Sequence, residues 1–338
     1  MMDGRLTRRA FLKAGAASAG AVLLGSAVFP EERACAESGK AYGVAQLTIP
    51  HSTRFRILQF TDLHLFADEV HHHEVDRQTS ETMQKLVKAA KPDLVMATGD
   101  LWPENRDGMG ETYMRSAIER MEALGVPWGF VWGNHDQLPD YVVGHNAFEN
   151  AKNSFYRGAA TDGNYVIDIL DSRKRRVWQL LCLNSHESGV KIAPQLQSDL
   201  IAASAPPVPR TAFFHIPLKQ YDTVWKDGTA AGVIGEEPCT ADEDGSALPF
   251  LRSIGVTACF CGHDHVNDYS GAIDGVELVY GRATGAGGYG VEILPKGGKL
   301  ITINCRKQQH EWVSLTPDGK RWAPKPGERI DRRGDRKG

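Results

Sequence analysis

The chain has 338 residues, enough by length alone for about two domains. Its formal charge is −3, and −5 without residues 1–36, which hold five Lys/Arg and three Asp/Glu; a mildly acidic body makes no electrostatic case for nucleic acid as a partner. Of six cysteines, Cys35 falls in the N-terminal segment, and the remaining five do not read as a disulfide framework.

From the N-terminus, Thr7-Arg8-Arg9-Ala10-Phe11-Leu12-Lys13 is a twin-arginine pattern, and a weakly apolar Ala/Gly stretch follows from Ala14 to Phe29. Ala34-Cys35-Ala36 supplies a small-residue cleavage site, so residues 1–36 read as a signal peptide cut after Ala36. Gly15, Ala16, Ala17, Ser18, Ala19 and Gly20 would make a poor spanning helix. The expectation is a bacterial protein carried by the twin-arginine translocation machinery to the periplasm or beyond, with no stable membrane insertion after cleavage. Residues 37–52 read as a linker.

Five apolar runs then end in polar residues of one chemistry. Phe55-Arg56-Ile57-Leu58-Gln59-Phe60-Thr61 runs into Asp62-Leu63-His64, and Asp93 to Thr98 into Gly99-Asp100. Val126-Pro127-Trp128-Gly129-Phe130-Val131-Trp132 breaks at Gly133 into Asn134-His135-Asp136. Thr211-Ala212-Phe213-Phe214 ends on His215, and Val256 to Cys261 ends on Gly262-His263-Asp264-His265. Between these runs, Met83, Leu86, Val87 and Ala90 form an amphipathic helical stripe closed by Pro92, and Met114, Ala117, Ile118, Met121 and Leu124 repeat it up to Gly125. Alternating strand and helix predicts parallel crossover units, in which ligands collect at the carboxyl ends of the strands. The second half is richer in short strands, at Tyr165–Ile169, Val177–Leu183, Val276–Tyr280, Leu300–Asn304 and Glu311–Leu315.

Residues from Asp62 to His265 should therefore build one site, and 53–315 reads as one α/β catalytic domain. Lys219 to Ser246 reads as a long loop, either a lid or an insertion. Residues 316–338, with eight Lys/Arg, four Asp/Glu and three prolines, read as a disordered basic tail.

Asp62, His64, Asp100, Asn134, His215, His263 and His265 offer oxygen and imidazole nitrogen without thiolate, a donor set suited to Mn, Fe or Zn. Seven ligands exceed one tetrahedral ion, whereas two ions sharing Asp100 use them all. Two ions about 3.5–4 Å apart can clamp a phosphoryl group and activate the attacking water.

In order and spacing, Asp62-Leu63-His64, Gly99-Asp100, Gly133-Asn134-His135-Asp136, His215 and Gly262-His263-Asp264-His265 resemble the calcineurin-like metallophosphoesterases. Phe213 to Leu218 and Cys261 to Asp268 are similar to the purple acid phosphatase-like subgroup. The resemblance implies a four-layer α/β/β/α sandwich of two mixed sheets. It implies Asp62, His64, Asp100 and His265 on one metal, and Asp100, Asn134, His215 and His263 on the other. His135 would steady the transition state or protonate the leaving group, with Asp136 orienting it. Pro103 stands where the purple enzymes carry a tyrosine ligand, and those enzymes lack a counterpart of His64, so no purple colour is expected.

Around this set, Arg282 in the Gly-rich Tyr280–Gly290 stretch reads equally as a phosphate contact or as a surface arginine on a tight turn, and His186 and His145 read as structural or substrate-wall residues rather than ligands. His71, His72 and His73 read as a solvated run. The expected activity is hydrolysis of small phosphate monoesters by metal-bound hydroxide. Alternatives are a phosphodiesterase acting on nucleotide, glycerophospho or cell-wall diesters, and a non-catalytic protein that binds a phosphorylated ligand.

Overall fold

The computed structural model describes residues 42–49 and 54–334, so the twin-arginine pattern and the Ala34-Cys35-Ala36 site lie outside the described residues. The chain runs β1 (Val44–Thr48), β2 (Phe55–Phe60), α1 (His73–Ala90), β3 (Leu94–Thr98), α2 (Gly110–Glu122), β4 (Trp128–Val131) and α3 (Tyr141–Asn150). It continues through β5 (Tyr165–Leu170), β6 (Arg176–Cys182), α4 (Pro194–Ala203), β7 (Arg210–Phe213), α5 (Lys219–Lys226), β8 (Ala231–Ile234) and α6 (Ala247–Ser253). It closes with β9 (Val256–Cys261), β10 (Asp268–Ile273), β11 (Val276–Tyr280), β12 (Gly298–Asn304), β13 (Gln309–Leu315), β14 (Arg321–Trp322) and β15 (Arg329–Asp331).

The predicted helical stripes are the buried ones. α1 buries Met83, Leu86 and Ala90, and α2 buries Met114, Ala117 and Met121. α3 was not foreseen; it starts where the Asp140 carboxylate accepts the Val142 N–H at 2.8 Å.

The strands form two mixed sheets. One has the order β1-β5-β6-β7-β9-β11-β10-β8-β15, the other β14-β13-β12-β2-β3-β4. In the smaller sheet β2, β3 and β4 are parallel while β12 runs antiparallel to β2. In the larger sheet β6, β7 and β9 are parallel.

Strand alternation sorts the larger sheet's side chains between two cores. Trp178, Leu180, Phe213 and Phe260 share one core with Ile57 and Met96 of the smaller sheet. Leu181, Ala212, Cys259 and Cys261 join Tyr221, Val224, Leu248 and Leu251 of α5 and α6 on the other face. On the smaller sheet, α1 packs against β2, and Phe130 of β4 stacks on Phe148 of α3 with centroids 4.2 Å apart. The result is the expected four-layer sandwich. Among the described residues no helix is long and apolar enough to cross a membrane.

Three boundaries differ from the sequence reading. The stretch taken as a linker holds β1, which pairs in parallel with β5 at the sheet edge; its burial is too patchy to have left a pattern. The stretch taken as a loop holds α5, whose Tyr221, Val224 and Trp225 are buried, and β8. Its remaining turn is anchored by fully buried Glu243, whose carboxylate accepts the N–H of Lys219 at 2.7 Å and of Gly245 at 2.8 Å. The basic tail is ordered through residue 334: β14 pairs with β13 in one sheet and β15 with β8 in the other. Strands of two and three residues carry no periodicity, and two cation–aromatic contacts join the tail to the body, Arg329 over Trp225 at 4.5 Å and Arg282 over the tail's Trp322 at 5.7 Å.

A buried ionic staple crosses between the sheets. Asp268 of β10 pairs with Lys299 of β12, accepts from the Ser314 hydroxyl of β13 at 2.7 Å and from Arg282 Nε at 2.6 Å, and both Asp268 and Lys299 are fully buried. Burial would raise the Asp268 carboxyl, but Lys299 and Arg282 outweigh it and hold its pKa below the usual range. A carboxyl so lowered stabilises the fold above its unfolded pKa of about 3.9, and that contribution is lost as pH falls through the folded value. Asp268→Asn leaves two cations buried together and should cost about 3–5 kcal/mol in urea unfolding at neutral pH. The gap between wild type and variant should narrow on acidification below about pH 4.

Candidate metal centre

The parallel strands β2, β3 and β4 of one sheet and β7 and β9 of the other all deliver their polar ends to one place. The loops are tied to each other there. Asp62 N–H donates to Gly99 O at 3.1 Å, His64 N–H to Asp100 O at 3.0 Å, and Gly262 N–H to His215 O at 3.0 Å. Asp62, His64, Asp100 and His263 all adopt left-handed backbone, with φ of 56°, 45°, 55° and 76°. Such conformations are uncommon for non-glycine residues and collect at functional sites. Gly133 permits the closest crossing: a Cβ there would lie 2.1 Å from Asp100 Oδ1.

Six of the seven proposed ligands fall into two groups, Asp62 with His64 and His265, and Asp100 with His215 and His263, each with ligand atoms within 4.8 Å of one another. His265 Nε2 lies 3.4 Å from Asp62 Oδ1 and 3.2 Å from His64 Nε2. His215 Nε2 lies 3.1 Å from Asp100 Oδ2, 3.2 Å from His263 Nδ1 and 3.0 Å from Oδ1 of Asn134, the seventh. Asp100 Oδ2 is also 4.0 Å from His64 Nε2, which puts this carboxylate between the groups. His215 has its outer nitrogen fixed, with Nδ1 2.8 Å from Thr98 O.

The electrostatics favour anionic carboxylates beside neutral His64 and His263 and a protonated His215. Burial alone would raise Asp62, but His265, His215 and His64 outweigh it and hold the carboxyl below its usual range. Burial likewise opposes His215 and His64 at Asp100, which is drawn down to about 2. Burial pushes His64 down to about 3 and, with His215, pushes His263 down to about 4. His215 moves the other way: burial would lower it, but Asp100 and Asp62 raise it to about 10.

These residues fit divalent cations. Asp62 Oδ1 is buried without a hydrogen-bond partner among the described residues, and imidazole nitrogens face each other at 3.2 Å in both groups. A buried carboxylate oxygen without a hydrogen bond, set beside closely spaced imidazole nitrogens, is what an N/O-ligated cation would satisfy.

His135 sits on the open side, its ring edge-on to His64 with centroids 5.3 Å apart and its backbone N–H donating to Asp100 Oδ1 at 2.9 Å. The expectation that Asp136 orients His135 is not met. Asp136 is fully buried and turned inward, where its carboxylate accepts the N–H groups of Asp100 and Gly133, both at 2.8 Å, and of Leu101 at 2.7 Å. It clamps the two ligand loops together. The carboxylate that faces the ring is Glu104, with Oε1 3.5 Å from His135 Nδ1. Glu104 lies in the turn after Gly99-Asp100, and an isolated acidic residue in a loop gives no signal of its own in sequence.

Arg282 is also reassigned. The guanidinium, read as a phosphate contact or a surface group, is buried and engaged by Asp268, with a further bond to Pro295 O at 3.4 Å. His186 follows β6 with φ 49° and faces Asp162 Oδ2 at 3.4 Å. His145 is a packing residue, its Nδ1 2.5 Å from the Tyr156 hydroxyl and its ring against Trp132. Of the His71–His73 run, His72 stacks on Phe66 at 3.9 Å and His73 opens α1.

Comparison with known proteins points the same way. The family model for calcineurin-like phosphoesterases matches residues 55–267. Phosphatase DCR2 of Saccharomyces cerevisiae is 29% identical over 323 residues, covering 81% of this chain and 56% of the yeast protein, so the chain spans little more than half of that relative. An Arabidopsis thaliana protein named probable inactive purple acid phosphatase 29 is 26% identical over 313 residues, covering 77% of this chain and 80% of its own length. Among solved structures, a dimetal phosphatase from Danio rerio superposes with a TM-score of 0.52 at 14% identity, over 78% of this chain and 95% of its own, a likeness of fold.

If the two groups each hold a cation through Asp100, Asp100→Ala should abolish both binding steps in a metal titration, while His265→Ala abolishes one. His215, raised to about 10, carries a proton at neutral pH that a bound cation must displace. Uptake at pH 7 should therefore release about one proton and weaken as pH falls. Calorimetry in buffers of different ionisation enthalpy reads that proton directly; no buffer dependence would refute it.

Proposed function

Because the chain belongs to the calcineurin-like phosphoesterase family, we propose that it hydrolyses small phosphate monoesters at a two-metal centre held by Asp62, His64, Asp100, Asn134, His215, His263 and His265. The observation that carries this reading is the pair of ligand groups meeting at Asp100, with His135 on their open side. Bound Mn, Fe or Zn ions would neutralise the phosphoryl oxygens and acidify a water for in-line attack.

The protein's own residues do the rest. The left-handed loops hold the donors convergent, and Asp136 fixes the Gly99-Asp100 loop against the Gly133-Asn134 loop through three short N–H bonds. In its doubly protonated form, with Nδ1 3.5 Å from Glu104 Oε1, the His135 ring can give its Nε2 proton to the departing ester oxygen and is left neutral. Glu104 and His135 are both partly exposed, so their pairing orients more than it stabilises. Export through the twin-arginine machinery is part of the same proposal; it is supported by Thr7 to Lys13 and Ala34 to Ala36 alone.

The deciding experiment is a paired rate assay on metal-loaded protein, comparing a chromogenic monoester with the matching diester. Faster monoester turnover is expected, with Asp100→Asn inactive. Faster diester turnover would replace this reading by a phosphodiesterase, and two bound metals with no turnover of either ester would leave a phospho-ligand binding protein. Glu104→Gln should lower kcat by about 3–10-fold with KM nearly unchanged, since it loosens the acid and leaves the ligands alone. A change confined to KM would show that Glu104 contacts substrate instead.

A further inference from the structure

His265 differs from His215 in how it is held. A metal-binding histidine usually donates its outer ring N–H to a carboxylate or carbonyl, which fixes the ring plane. His215 follows that pattern through Thr98 O at 2.8 Å. In His265, Nε2 faces Asp62 and His64, while the outer nitrogen Nδ1 is buried and has no hydrogen-bond partner among the described residues.

Stacking takes the place of that bond. The Tyr289 ring lies against the His265 ring with centroids 4.1 Å apart and planes 13° from parallel. Tyr289 is itself fixed at both ends. Its hydroxyl reaches both Glu236 carboxylate oxygens at 2.8 Å, and its carbonyl accepts from Lys296 Nζ at 2.7 Å. Glu236 is tied back to the ligand segment, accepting the Val266 N–H at 3.3 Å. Just before Tyr289, Gly288 closes the cradle: a Cβ there would lie 2.5 Å from His265 Nδ1 and Cε1. No hydrogen-bonding side chain fits against Nδ1, so ring-on-ring contact sets the plane.

We propose that Tyr289 is a positioning residue for the metal centre: its ring, stacked on His265, orients that imidazole toward the cation shared with Asp62 and His64. The proposal rests on the two-metal reading and assigns Tyr289 no contact with substrate. It separates the two ions, because only one group includes His265.

The test is a Zn titration followed by calorimetry and metal analysis on wild type, Tyr289→Phe, Tyr289→Leu and His265→Ala. Tyr289→Leu should weaken by about 10–100-fold the same binding step that His265→Ala removes, and leave the other step within about twofold. Tyr289→Phe keeps the ring and should stay within about threefold of wild type at both steps. Equal weakening of both steps by Tyr289→Leu would mark a general structural defect and overturn the proposal, as would two unchanged steps. Tyr289→Phe behaving like Tyr289→Leu would overturn it too, by assigning the effect to the hydroxyl. A wild type that takes up fewer than two ions would overturn the two-metal reading, and this one with it.

Discussion

The site turns on one buried carboxylate. Asp100 lies between two ligand groups, each of which draws residues from both sheets, and it must stay anionic with almost no exposure. Burying a lone carboxylate is costly, so the fold surrounds it with compensation. The His135 backbone N–H meets Oδ1, His215 meets Oδ2, and Asp136 takes the adjacent backbone N–H, so the main chain as well as the side chain is fixed. From that requirement follow the convergence of β3 with β7, the glycine at 133 and the left-handed turn at Asp100 itself.

Two sheets packed through apolar side chains alone could slide, because hydrophobic attraction is not directional. Directional links oppose this at several points, two of them beside the strands that carry the site. Beneath the centre, the Gln59 side chain of β2 donates to Thr98 Oγ1 at 2.8 Å and across the sheets to Cys261 O at 2.9 Å. Farther along, Asp268, Lys299, Arg282 and Ser314 form the ionic staple. Both links originate next to ligand-bearing segments, so the register that suits the core is also the register that closes the two ligand groups.

Much of this was legible in sequence because the chemistry is periodic or clustered. Strand ends turning abruptly polar marked Asp62, His64, Asp100, Asn134, His215, His263 and His265, and the helical stripes of α1 and α2 announced themselves by spacing. What escaped depends on side-chain direction, which a linear pattern does not encode. Asp136 follows His135 in the chain, yet the turn that bonds its N–H to Gly133 O sends its carboxylate into the interior. Glu104 reaches the ring from another loop, and Arg282 is taken by a partner on β10. The ordered tail escaped because its composition is that of a solvated segment, while its hydrogen bonds to β8 and β13 are made by backbone.

The same features that build the site weigh against the fold. Four non-glycine residues in left-handed backbone carry strain of about 1–3 kcal/mol each where the conformation is unfavourable, though Asp and His tolerate it better than most. Asp62 Oδ1 adds a buried acceptor without a hydrogen bond among the described residues, and imidazole nitrogens are crowded to 3.2 Å in both groups. None of this is relieved by apolar packing, which already surrounds the centre through Phe60, Trp132 and Phe213. Relief has to come from positive charge placed among the donors, and in the proposed reading the cations that serve the chemistry are also those that settle the site. Ligand binding of this kind adds its free energy to the folded state only. The buried rear of the centre, with Asp136 and Gln59, therefore holds the crowded donors in place, and in the proposed reading the open front, with His135 and Glu104, serves proton transfer.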